Sequence, residues 1–137
     1  MMKKLILILC ITFCFSCTNA QFSVSQLKGC VWDEVAPVIS YRKSYISFTD
    51  TDCITSSYYV SGIVKGNVIT NKNKYYLSSL RPKVFNKSLV GKNTKGKYIV
   101  TYLKGKYLRV AEIKSITKDE LKIKYNNNEV FTYKKIK

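Results

Sequence analysis

From residue 21 onward, apolar side chains recur at every second position rather than every third or fourth. Leu121-Lys122-Ile123-Lys124-Tyr125 is the cleanest case. On a pleated strand successive side chains point to opposite faces, so this pattern predicts strands with one face buried and one in water. No segment of helical length carries an apolar stripe at i, i+3, i+4. Tyr, Val, Ile and Thr are abundant, which suits half-buried strands. The chain is expected to be all-β.

Strands are expected over Ile46–Phe48, Tyr58–Lys65, Val68–Thr70, Tyr75–Leu77, Tyr98–Leu103, Tyr107–Ile113, Leu121–Tyr125 and Val130–Tyr133. Val84–Leu89 is ambiguous. The intervening residues are good turn formers: Gly66-Asn67, Lys104-Gly105, Thr117-Lys118-Asp119-Glu120 and Asn126-Asn127-Asn128. Gly and Asn tolerate the left-handed backbone that tight turns require. Pro37 and Pro82, the only prolines, mark connections or strand starts, because proline cannot donate to a sheet ladder. About eight short strands joined by short turns, without crossover helices, predict an antiparallel meander closed into a small barrel. Closure removes the exposed edges such strands would otherwise present. A barrel of about eight strands is filled by its own side chains or holds one small ligand.

The N-terminus has a separate role. Met1-Met2-Lys3-Lys4 is a positive start, Leu5–Phe15 an apolar run, and Ser16-Cys17-Thr18-Asn19-Ala20 a small polar end. This is the layout of a bacterial export signal. The run is too short for a membrane-spanning helix, which needs about 20 apolar residues. Residues 1–20 are expected to be a signal peptide and 21–137 a single domain working outside the cytoplasm, secreted or periplasmic. Thr18-Asn19-Ala20 fits cleavage before Gln21. The alternative is a degenerate lipobox that makes Cys17 a lipid-bearing N-terminus on the outer membrane.

Three cysteines (Cys10, Cys14, Cys17) lie in the signal, leaving Cys30 and Cys53. In an oxidising compartment these are expected to form one disulfide, worth about 3 kcal/mol. The other reading is two buried thiols on separate strands. Without Lys3 and Lys4 the mature chain keeps 22 of 24 Lys and Arg against eight Asp and Glu, a net charge of +14. No acid lies between Cys53 and Ala111. Such a field attracts polyanions, although lysines on strands also guard against sheet-to-sheet association. The densest basic cluster is Lys92, Lys95 and Lys97 with Lys104 and Lys106. If Tyr98–Leu103 pairs with Tyr107–Ile113, these lysines divide between the two ends of the hairpin.

The opening Leu27-Lys28-Gly29-Cys30-Val31-Trp32 resembles the start of lipocalin-like proteins, where a Gly and a nearby Trp precede the first barrel strand. The spacing here, Gly29-x-x-Trp32, is one residue longer. The run from Ile113 to Leu121 and on through Val130-Phe131-Thr132-Tyr133-Lys134-Lys135-Ile136 is similar to the final hairpin of small exported bacterial lipocalin-like (calycin-type) proteins. The resemblance implies that Trp32 plugs one barrel end. It also implies a barrel that holds a small apolar ligand, or a plugged barrel acting as an accessory.

Chemistry is constrained by what the chain lacks. There is no histidine, which removes imidazole acid–base catalysis, Ser-His-Asp triads and His metal sites. Two cysteines are not a structural zinc set, and no glycine-rich phosphate loop is present. Asp50 and Asp52 are the one pair that could serve an enzyme or calcium, but Thr-Asp-Thr-Asp between strands reads as a turn. Asp33 and Glu34 read as solvated, on opposite faces. Tyr–Lys alternation, as at Lys97-Tyr98, reads as core-facing Tyr and water-facing Lys rather than a nucleic-acid groove. The expectation is an exported, non-catalytic binding or accessory protein without cofactor or metal. Its partner is a small ligand in the barrel, or an anionic glycan or envelope component on its basic exterior; no nucleic acid is expected. Intact-mass measurement on protein from the native host should give a chain beginning at Gln21; an acylated chain beginning at Cys17 would establish the lipoprotein route.

Overall fold

A computed structural model describes residues 21–35, 42–60, 66 and 68–137. The export signal with Cys17, Pro37, residues 61–65 of the expected strand Tyr58–Lys65, and Asn67 of the expected hairpin turn lie outside the described residues. The elements are β1 (Phe22–Ser23), a one-turn helix α1 (Val24–Leu27), β2 (Val31–Glu34), β3 (Arg42–Phe48), β4 (Asp52–Tyr59) and β5 (Val68–Ser78). They continue with a 3-10 turn at Lys87–Leu89, β6 (Lys95–Gly96), β7 (Tyr98–Leu103), β8 (Tyr107–Ile116), β9 (Glu120–Lys124) and β10 (Val130–Lys135). Eight strands form one closed antiparallel barrel in the order β2-β3-β4-β5-β7-β8-β9-β10, and β1 pairs with β6 as a separate two-stranded ribbon.

The alternation seen in the sequence becomes the inside and outside of this barrel. Leu121 and Ile123 of β9, Ala111 and Ile113 of β8, and Trp32 of β2 are buried in one interior cluster with Leu27, Phe48, Tyr75 and Leu77. Outward residues of the same strands are mostly charged or polar. The turns behave as their residues predict. Lys104 and Gly105 both take positive φ (54° and 63°), and Lys106 N–H closes the turn on the Leu103 carbonyl at 3.0 Å. Two positive φ values match the twist of a two-residue hairpin. Asn128 is likewise left-handed, and its N–H donates to the Tyr125 carbonyl at 3.0 Å.

Several elements go beyond the sequence expectation, among them β2, a barrel strand at Val31–Glu34 where none was expected. β5 runs unbroken for 11 residues, because Asn71-Lys72-Asn73-Lys74 alternates in two polar types. Lys72 and Lys74 face outward toward Asp52, and Asn71 lines the interior. β4 begins at Asp52, so the Asp50-Thr51-Asp52 turn feeds a strand that its Ser- and Thr-rich composition had concealed. Val84–Leu89 is not a strand. Within segment 79–97 it forms an outer layer over β5, β7 and β8. The Phe85 ring stacks on Tyr102 at 4.8 Å and tilts against Tyr76 at 5.1 Å. Leu89 and Val90 pack there against buried Tyr76, Val100 and Val110.

One end of the barrel is closed by α1. Its Val24 and Leu27 are buried, Leu27 completely, and Trp32 Nε1–H donates to the Leu27 carbonyl at 3.3 Å. The helix is held in place by the β1–β6 ribbon, Phe22 opposite Gly96. Gly96 sits against the chain at Ser78 so closely that a Cβ would collide with the Ser78 carbonyl group. Gly96→Ala should therefore displace the ribbon and lower stability by about 1–3 kcal/mol, as overpacking does, measured by urea unfolding.

Candidate binding cup

The same inward positions that pack tightly around Trp32 and Leu27 are polar or small toward the other end. On β3 and β4 they are Ser44, Thr55 and Ser57, and on β5 Asn71. Ser and Thr occupy little volume, so this part of the wall leaves a cavity of about 580 Å³. The opposite wall carries Glu34 on β2, Arg109 on β8, Tyr125 after β9, and Phe131 and Tyr133 on β10. Arg42, Asn126, Asn127 and Glu129 are exposed at its rim.

Alternation puts each of these residues in place. Glu34 lies two residues beyond Trp32 and pairs with Tyr133 across the β2–β10 seam. Arg109 lies two residues before Ala111, in phase with buried Ile113. Tyr125 follows Leu121 and Ile123 in the same phase. The Tyr125 and Tyr133 hydroxyls are 3.5 Å apart, and the Tyr125 ring meets Phe131 edge-on at 5.1 Å. The Arg109 guanidinium lies over the Tyr125 ring, 5.2 Å from its centre. Arg109 Nε is buried with no hydrogen-bond acceptor. Ser44 and Ser57 hydroxyls bond to each other at 3.1 Å across the β3–β4 pair.

The electrostatics follow from burial. Desolvation raises the Glu34 carboxyl above its ordinary range, and Asp33 adds to this, while Ser44 and Lys43 pull it back part of the way. Desolvation also raises the Tyr125 and Tyr133 hydroxyls, with Arg109 opposing the rise in both. Neither tyrosine ionises in the physiological range.

The residues singled out from the sequence lie elsewhere. Lys104 and Lys106 sit in the β7–β8 turn at the cup end, and Lys95 and Lys97 at the α1 end beside β1. Lys92 lies on the outer segment. The five do not form one patch. Lys97 and Lys106 lie against the rings of Tyr98 and Tyr107, at 5.2 and 5.4 Å. Trp32 is 1% exposed at the α1 end.

The expected Cys30–Cys53 disulfide is not formed; both thiols are free. Cys30 Sγ donates to the Lys28 carbonyl at 3.6 Å. Cys53 faces the barrel interior, where burial pushes its thiol up to about 12, Arg109 lowering and Asp52 raising it to a lesser degree. A thiol so held has almost no thiolate for exchange.

The two carboxylate pairs are also resolved. Asp50 accepts from Lys28 Nζ at 2.8 Å and Asp52 from Lys74 at 3.0 Å, with Lys72 at 3.9 Å. Burial works to raise the Asp52 carboxyl, but the Thr51 hydroxyl and the two lysines outweigh it and hold it below the ordinary range. Backbone N–H groups of Thr51 and Asp52 both donate to Thr49 Oγ1, as a turn requires. The two aspartates are thus tied to different lysines rather than to each other. Asp33 and Glu34 do point to opposite faces, yet neither is simply solvated. Asp33 binds Lys43 at 3.1 Å on the outside, where the Tyr58 hydroxyl also approaches, and Glu34 lines the cup.

No protein-family model, curated protein or solved structure matches this chain. Among the described residues, no group of three or more His, Cys, Asp or Glu side chains is placed to hold a metal ion. No helix there is long and apolar enough to cross a membrane.

Because the folded Glu34 carboxyl binds its proton more tightly than the unfolded one, stability is lost as pH rises through the raised value. Glu34→Gln removes that loss. The variant should melt at a higher temperature than the parent near neutral pH, and the difference should vanish below about pH 4, where both states hold the proton. Thermal scans by circular dichroism across this range check it.

Proposed function

We propose that this protein is an exported, non-catalytic binding protein of the lipocalin type, carrying a small molecule in the cup opposite α1. The observation that carries the reading is the division of one barrel interior into two parts. Around Trp32 and Leu27 it is filled by its own side chains. Beyond Ile46 it is hollow, with a volume in the range of small-molecule sites. The lining mixes Phe131 and Ile46 with Glu34, Arg109, Asn71 and hydroxyl groups. This favours a ligand that is part polar over the purely apolar one that the family resemblance implies. The non-catalytic reading draws support from the lack of histidine and from the separate lysine partners of Asp50 and Asp52. Export, with removal of residues 1–20 or lipid attachment at Cys17, rests on the N-terminal pattern.

A second reading gives the basic exterior the main role, binding an anionic glycan or envelope component. It is favoured by Lys92, Lys95, Lys104 and Lys106, which are exposed and form no ion pair with the described acids. The two readings separate cleanly in experiment. Native mass spectrometry of protein from its host should detect a bound small molecule. Ser57→Trp, which fills the cup from β4, should abolish that adduct while the chain stays folded. If no adduct is found, and reversing Lys104 and Lys106 to Glu sharply shortens retention on heparin, the exterior is the working surface and the cup reading fails.

A further inference from the structure

The cup holds one group whose chemistry is incomplete. Arg109 Nε is buried and faces no acceptor, although an arginine donor taken out of water is among the costlier groups to leave unpaired. Its own ring contact, Tyr125, satisfies the face of the guanidinium but accepts no hydrogen bond at Nε. The carboxylates that line the same cavity, Glu34 and Glu129, form no ion pair with it. Glu34 is instead held by Ser44. Beside Arg109 the Tyr125 and Tyr133 hydroxyls share a single hydrogen bond, in which either is the donor. Two hydroxyl hydrogens for one bond leave one free to donate elsewhere. A positive charge and two spare donors thus meet at one side of the cup, with the Phe131 ring and Ile46 lining the space beside them.

Resting on the cup reading above, we propose that the ligand is a small organic anion. Its acidic head group pairs with the Arg109 guanidinium, which lines the cup, and accepts from the tyrosine pair, and its body lies against Phe131 and Ile46. A carboxylate or sulfonate fits this arrangement because it brings several lone pairs to a charged donor, which makes the strongest class of hydrogen bond. The low-dielectric wall strengthens the attraction beyond what exposed lysines offer.

The test compares two fluorescent probes with the same ring system, anilinonaphthalene sulfonate and neutral N-phenylnaphthylamine, on the full mature chain at physiological ionic strength. The sulfonate should bind at least about tenfold more tightly, as expected for a charge-assisted hydrogen bond. Arg109→Met should remove this preference, bringing the two affinities to within about twofold of each other, and its circular-dichroism spectrum and thermal transition show that the variant is folded. Reversing Lys104 and Lys106 to Glu should change the preference by no more than roughly twofold, since exposed charges are screened. On the parent protein, the Arg109 Nε–H resonance should move on addition of the sulfonate and not of the neutral probe, a readout that needs no variant. Equal affinity for the two probes overturns the anion inference and leaves the cup reading standing. A preference that survives Arg109→Met and disappears on reversing the rim lysines also overturns it, because the outer field is then responsible. If neither probe binds in the parent, or Ser57→Trp binds both as well as the parent does, the cup reading itself fails.

Discussion

Pairing of β10 with β2 is the contact on which the rest of the structure depends. It joins residues about a hundred positions apart through ladder bonds such as Val35 N–H to the Thr132 carbonyl at 2.8 Å and Ile136 N–H to the Val31 carbonyl at 3.0 Å. With that seam made, each strand of the barrel has a partner on both sides over at least part of its length, which removes the open first and last edges that template association. The seam is costly to form, since its loop-closure entropy is met before any local reward. It also fixes which face of each strand is interior. Trp32 and Glu34 lie on the same face of β2, so one register places the packed residue at one level and the cup carboxylate at the next.

The division of the interior follows from side-chain volume. Trp32, Phe48, Tyr75, Leu77 and Leu121 pack together in one buried cluster with Leu27 of α1. At the levels above, β3, β4 and β5 contribute Ser44, Thr55, Ser57 and Asn71, too small to reach the far wall. A hollow is the result, and its polar lining is kept partly out of water. The shifted Glu34 carboxyl and the unpaired Arg109 Nε are two consequences of the same dehydration. The outer layer of segment 79–97 has the complementary role. It covers Tyr76, Val100 and Val110, which alternation turns outward on β5, β7 and β8 and which water would otherwise meet.

Much of the barrel was legible in the chain because period-two alternation is a local property. β7, β8, β9 and β10 and their turns lie where Tyr98–Leu103, Tyr107–Ile113, Leu121–Tyr125 and Val130–Tyr133 predict them. Most of β4 and the middle of β5, Asn71–Lys74, were hidden because inward positions there include Thr55, Ser57, Asn71 and Asn73, which carry no hydrophobic signal. The cup was hidden for the same reason. Its one readable trace is a charged residue in the apolar phase of a strand: Arg109 in step with Ala111 and Ile113, and Glu34 in step with Trp32. The lysine cluster drew attention by composition, but the hairpin geometry that divides Lys95 and Lys97 from Lys104 and Lys106 denies them a common surface.

The amino-acid order alone settled that this chain makes an antiparallel meander with Lys outside and apolar residues inside, because side-chain alternation and turn chemistry act over a few residues. Which inward positions meet depends on strand register and barrel closure, which act between distant residues. Only the folded barrel brings Glu34, Arg109, Tyr125 and Tyr133 around one cavity. Only there are Asp50 and Asp52 tied to separate lysines, and Cys30 and Cys53 left as free thiols.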